Sequence, residues 1–173
     1  MKVDGKERRK LLAEVLQNAK EPLAGGILAR QLKVSRQVIV GDIAILRAAG
    51  VEIYATPQGY IMPAIQGPSF ITAKLACRHK RNEMAEELAI IIDNGGKVLD
   101  VIVEHSVYGE IKANLMLASR RELAVFLATI EASGAEPLSV VTGGVHLHTI
   151  EVPSVEVLRT IEEQLKERGL LVE

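Results

Sequence analysis

A chain of 173 residues with a formal charge of −1 and a single cysteine excludes several classes at once. Cys77 cannot form an internal disulfide, which fits a reducing compartment. No apolar run approaches the ~20 residues of a membrane helix, and MKVDGKERRK lacks the apolar stretch of a secretory signal. We expect a cytoplasmic protein of one domain or two small ones. With aromatics at 3% and no Trp, its cores must be aliphatic. The near-neutral sum conceals an asymmetry: residues 1–50 hold ten Lys and Arg against five Asp and Glu, and the remainder is acidic. Such a split points to a nucleic-acid module at one end.

Leu11, Leu12, Val15 and Leu16 recur at helical spacing and predict a first helix over 7–18. Glu21-Pro22 is expected to end it, because the residue before proline is pushed out of the helical region. Gly25-Gly26 opens a short second helix over 27–32, with Ile27, Leu28 and Leu32 inward. After a turn at Lys33-Val34, Ser35 stands as N-cap of a third helix over 36–48. That helix buries Ile39, Ile43 and Leu46, and Gly50 closes it. VEIYA and GYIM, around Thr56-Pro57-Gln58-Gly59, form a hairpin of wing size. Residues 1–63 therefore read as a winged helix-turn-helix whose third helix enters the major groove of operator DNA.

The third helix leaves Arg36, Gln37 and Val40 on or beside its outer face. Gln37 can read an adenine edge, Arg36 a guanine or a phosphate, and Val40 can pack on a thymine methyl. Lys33, Ser35 and Arg47 are better placed for phosphates, which give affinity without sequence information. The bland alternatives are a three-helix bundle with a solvated charged face, or a winged helix used for protein contacts. Local positive charge together with the turn, the serine cap and the wing favours DNA. The string LARQLKVSRQVIVGDIAILRAAG also resembles the motif of bacterial repressors of the biotin-repressor and DeoR-like type.

Residues 64–69 hold Gly, Pro and Ser and read as a linker to a second module over 70–173. A strand over 70–78 turns Ile71, Ala73, Leu75 and Cys77 to one side. Asn82 can cap a helix over 83–93, stopped by Gly95-Gly96. A strand over 97–104 passes through His105-Ser106-Val107-Tyr108-Gly109 into a strand over 110–117. Ser119-Arg120-Arg121-Glu122 is a capping box for a helix to about 132, closed by Gly134. A short strand near 138–141, a strand over 145–151, a helix from Pro153-Ser154 to 168 and an edge strand in LLVE complete the order. The class is α+β, with helices covering one face of a sheet.

All four histidines fall in this module. His146 and His148 are two apart on a strand, so both imidazoles face one way and can share a metal. His79 lies at the end of the first strand, and either Glu83 or Glu87 can supply a carboxylate. Were His79 helical, Glu87 would lie ~12 Å along the axis; from a strand–helix loop the chain can fold back to it. Three imidazoles and one carboxylate suit zinc, nickel, iron or cobalt rather than magnesium or calcium. His105, beside a turn, binds a small ligand or closes the hairpin. Cys77 reads as core, and no nucleophile–base pair or phosphate loop stands out.

SRQVIVGDIAILRAAG, VIVEHSVYGEI and GGVHLHTIEVP together resemble the bacterial nicotinate-responsive repressors of NAD biosynthesis and niacin uptake, over nearly the whole chain. The resemblance implies an HPr-like α/β sandwich known as the three-histidine domain, one bound transition-metal ion, nicotinic acid as co-repressor, and a homodimer. It places the metal ligands on His79, Glu87, His146 and His148. His105 is assigned to the effector pocket, with Lys112 as a nearby cation for the nicotinate carboxylate. The rival expectations are the same architecture sensing another small molecule or the metal itself, and a metal-dependent hydrolase.

Overall fold

The computed structural model describes residues 4–63 and 70–172; the predicted linker, 64–69, lies outside the described residues. The chain divides into two compact units, Met1–Gln66 and Gly67–Glu173. No described helix is long and apolar enough to cross a membrane.

The first unit runs α1 (Gly5–Gln17), α2 (Gly25–Gln31), α3 (Arg36–Ala48), β1 (Tyr54–Thr56) and β2 (Gly59–Ile61). Leu12, Leu16, Leu28, Ile39, Ile43 and Ile53 form its core. Two expectations need correction. Asn18, not Pro22, closes α1: its side-chain amide donates to the Glu14 carbonyl at 2.8 Å and satisfies the last turn before proline is reached. Ile27 faces solvent, 45% exposed, because α2 begins two residues earlier and presents Leu28 and Ala29 to the core.

Charge also packs this unit. Asp42 on α3 is buried and accepts from Arg8 Nε at 2.6 Å and Nη2 at 3.1 Å, with Arg9 at 3.5 Å. Donating to the Asp42 carboxylate holds the Arg8 guanidinium above its ordinary range. Part of the N-terminal positive charge is thereby tied to the fold.

The wing joins the helices through Leu23 and Tyr60, whose amides and carbonyls exchange bonds of 2.8 and 2.9 Å. Gly59 makes this approach possible. Its φ is 140°, and a Cβ there would lie 2.3 Å from the Leu23 carbonyl oxygen. Gly59→Ala is expected to destabilise the unit by about 2–4 kcal/mol through backbone strain and displacement. Urea unfolding of the full chain measures it, and an unchanged midpoint would contradict this packing.

The second unit runs β3 (Ile71–Arg78), α4 (Met84–Asp93), β4 (Lys97–His105), β5 (Gly109–Leu117), α5 (Arg120–Ser133), β6 (Val145–Val152) and α6 (Val155–Glu167). The strands pair antiparallel in the order β3-β6-β4-β5. Leu75, Leu117, Ile150 and Val152 from one face of the sheet meet Leu88, Ile91, Leu123, Ile161 and Leu165 from the helices. This is the α+β layering expected from the element order.

Residues 138–141 are not a strand. Pro137 leads into a 3-10 turn, Leu138–Thr142, closed by Gly143 and Gly144, both at positive φ, with the Gly144 amide bonded to the Ser139 carbonyl. Asn82 is not the cap of α4 either. It lies inside a 3-10 turn, Arg81–Glu83, where the Glu83 carboxylate accepts the Lys80 amide at 2.8 Å. At the C-terminal end Leu171 bridges to Cys77, and the Val172 amide donates to Ala76.

Candidate functional site

Four residues predicted as metal ligands converge beneath α4. Alternation along β6 turns His146 and His148 to the helix-covered side with Ile150 and Val152. His79 follows the end of β3 in the strand–helix loop, and Glu87 lies one turn into α4. All four are buried. His79 Nε2 stands 2.6 Å from Glu87 Oε2, His146 Nε2 3.1 Å from Oε1, and His148 Nε2 3.4 Å from Oε2. Glu83 faces the Lys80 amide instead, so of the two glutamates it is Glu87 that stands among the imidazoles.

The other ring nitrogens define the chemistry. Nδ1 of His79 donates to the Lys80 carbonyl at 2.8 Å, Nδ1 of His146 to Gly144 at 2.8 Å, and Nδ1 of His148 to Asp100 at 2.6 Å. A carbonyl only accepts, so each Nδ1 carries its hydrogen, and in the neutral ring each Nε2 presents a lone pair. Three lone pairs and a carboxylate around one point repel unless a cation or shared protons sit among them. Backbone carbonyls fixing tautomer and ring orientation are the usual support of metal-bound imidazoles.

The electrostatics agree. Burial alone would raise the Glu87 carboxyl, but hydrogen bonds from His146, His148 and His79 hold it well below the usual carboxylate range. Burial pulls His79 and His148 down, yet Glu87 outweighs it and leaves both above the ordinary imidazole value. These residues fit a metal of the zinc, nickel, iron or cobalt type, for which imidazole nitrogen is a good donor.

Cys77, read from sequence as core, is fully buried but also borders this cluster. It sits across from His146 in the β3–β6 register, and one donor atom each of Cys77, Glu87 and His146 lies within 4.8 Å of the others. Burial, then the Glu87 charge, pushes its thiol up. The sequence signal for this proximity is Cys77-x-His79, two residues apart where β3 runs out.

The two residues expected at an effector pocket are placed apart from these four. Register pairs Val101 with His148 and Ala113, and Ile102 with Leu147 and Lys112, so Lys112 projects from the opposite face of the sheet. There it pairs with Asp100 at 2.7 Å. The expectation of Lys112 as a cation beside the histidines is corrected by this one-residue alternation. His105 ends β4, four residues beyond Val101 and about 13 Å along the strand. Its Nδ1 accepts the amides of Val107 and Tyr108 at 3.1 and 3.3 Å and closes the hairpin, which leaves its hydrogen on Nε2.

In the first unit Ser35 Oγ accepts the Val38 amide at 3.3 Å and sets the start of α3. Lys33, at φ 54°, makes the turn before it. Arg36 and Gln37 are exposed on the first turn, and Val40 is 40% exposed one turn on. Arg47 is occupied within the fold: its Nε donates to the Ile53 carbonyl at 2.8 Å and ties α3 to the approach of the wing.

A helix-turn-helix with an exposed reading helix and a wing, followed by an α+β unit around a buried histidine–carboxylate cluster, defines a DNA-binding regulator. Residues 72–173 match the 3H domain family, and residues 8–61 match an HTH domain family. The chain is 45% identical over 173 residues to the probable transcription repressor NiaR of Thermotoga maritima, covering 100% of this chain and 98% of that protein. It is 40% identical to the transcription repressor NadR of Bacillus subtilis, covering 99% and 97%. The chain belongs to this family of 3H-domain transcription repressors.

Proposed function

We propose that the protein represses genes of NAD biosynthesis or niacin uptake by binding operator DNA as a homodimer, with nicotinic acid as co-repressor. The observation that carries the sensing half of this reading is the buried convergence of His79, Glu87, His146 and His148. A transition-metal ion, which these four side chains would hold, would supply a fixed positive charge able to attract a carboxylate. His105 keeps its Nε2 hydrogen free of the hairpin as a donor, but it stands about 13 Å along β4 from the residue paired with His148, so it serves an effector site apart from the metal ligands of its own chain. In the other unit, Arg36, Gln37 and Val40 read bases, while Lys33 and the Ser35 end of α3 meet phosphates. A dimer that spaces two α3 helices about one DNA turn, ~34 Å, engages both half-sites at once.

The effector must bind the DNA-competent form better than the other, or it shifts nothing. Gel-shift titration of zinc-loaded protein with and without nicotinate tests this, and tighter operator binding with nicotinate is expected. An operator affinity that ignores nicotinate overturns the sensing claim. The near-complete burial of all four side chains favours one second reading, in which the metal itself is the signal. Operator binding that follows a chelator and is indifferent to nicotinate would select it.

A further inference from the structure

Asp100 is buried, 2% exposed, on the sheet face away from the histidine cluster. It sits at an irregularity of β4, where the register with both β6 and β5 shifts between Val98 and Asp100. Such bulges leave ladder groups without a strand partner. Asp100 answers this with three contacts. Its Oδ1 accepts the Thr149 amide at 3.1 Å, its Oδ2 meets Lys112 Nζ at 2.7 Å, and its backbone carbonyl accepts His148 Nδ1–H at 2.6 Å. One residue thus grips the ring of His148 and the peptide immediately after it.

We propose that Asp100 and Lys112 form a positioning pair for His148, in which the surface lysine fixes the buried carboxylate and the carboxylate fixes the carbonyl that orients the ring. A buried carboxylate needs a partner cation, and Lys112 reaches it with a half-exposed side chain. The Thr149 amide bond locks the bulge, so the Asp100 carbonyl stands where the His148 ring hydrogen needs an acceptor. Fixing that ring is what keeps its Nε2 aimed at Glu87. The pair is not itself among the four metal-binding side chains and acts only through His148. Lys112, read from sequence as an effector contact, acquires a different task.

The inference rests on the metal reading of the cluster, and the test separates the two. Full-length wild type, Asp100→Ala, Lys112→Met, Lys112→Arg and His148→Ala are each titrated with Co2+ against a competing chelator. The d–d absorption spectrum and the melting temperature of the metal-free form are recorded alongside. Asp100→Ala is expected to weaken Co2+ binding by roughly ten- to hundredfold, the usual cost of losing support for a metal ligand, with an altered d–d spectrum. Lys112→Met is expected to weaken it less, and Lys112→Arg to restore it. Should Asp100→Ala fail to fold, the two lysine variants decide. Wild-type affinity and spectrum in Lys112→Met and Asp100→Ala overturn the pairing, as does a loss confined to metal-free melting. Wild type that takes up no Co2+ overturns the metal centre itself, and the pairing with it.

Discussion

Replacing Glu87 with glutamine is expected to lower affinity for zinc or cobalt by more than roughly a hundredfold, beyond the loss that follows when only a supporting partner is removed. Glu87 faces all three Nε2 atoms within 3.4 Å and is fully buried. Glutamine keeps the shape and its amide can donate to the imidazole lone pairs, so the fold should persist by circular dichroism. Chelator competition reads the affinity, and binding as tight as wild type would remove Glu87 from the ligand set.

The same cluster sets the pH response of the metal-free protein. The folded values of His79 and His148 are raised, so their stabilisation is complete below the ordinary value of about 6.5 and is lost as pH rises through the raised values. The folded value of Glu87 is depressed. Its contribution is present above about 4.3 and is lost only as pH falls through the depressed value. The metal-free protein should therefore melt at lower temperature at about pH 9 than at about pH 6. Saturating zinc should invert this order, because metal and protons compete for the same nitrogens. Thermal melts across that range check it, and a metal-free protein that gains stability with rising pH goes against the shared-proton picture.

Gln37→Ala carries the second large effect. It should cost about 1–3 kcal/mol of operator affinity and relax specificity at the base pair read. Lys33→Ala should instead weaken binding evenly across sequences and reduce the salt slope by about one. The contrast follows from position: Gln37 lies exposed on the first turn of α3, Lys33 in the turn ahead of it. Arg47→Ala is a control with another signature, since removing the bond to Ile53 should loosen the wing attachment as well as any phosphate contact. Anisotropy titrations on matched and scrambled operators distinguish the three.

What could be read from the sequence was whatever is decided locally. Ser35 and Gly50 frame α3 because a cap hydroxyl and a positive-φ glycine act within one turn. Ser119 likewise caps α5, although Glu122 reaches back to the Ala118 amide and not to Ser119. Period-two alternation alone put His146 and His148 on one face. The parts that escaped depend on partners far along the chain. Nothing near Asp42 announces Arg8, and nothing near Lys112 announces Asp100 or the register that turns it from the histidines. At 138–142 Val140 and Val141 favour a strand locally, but Pro137 and the two glycines override that propensity and give a 3-10 turn.

We propose that His79, Glu87, His146 and His148 hold a metal through which nicotinate is sensed. Elemental analysis of the purified chain, followed by calorimetric titration with nicotinate before and after chelation, tests it most directly. One transition-metal ion per chain, with nicotinate binding lost on chelation and restored by metal, is the predicted result. A chain that carries no such ion, or that binds nicotinate equally well after stripping, contradicts it.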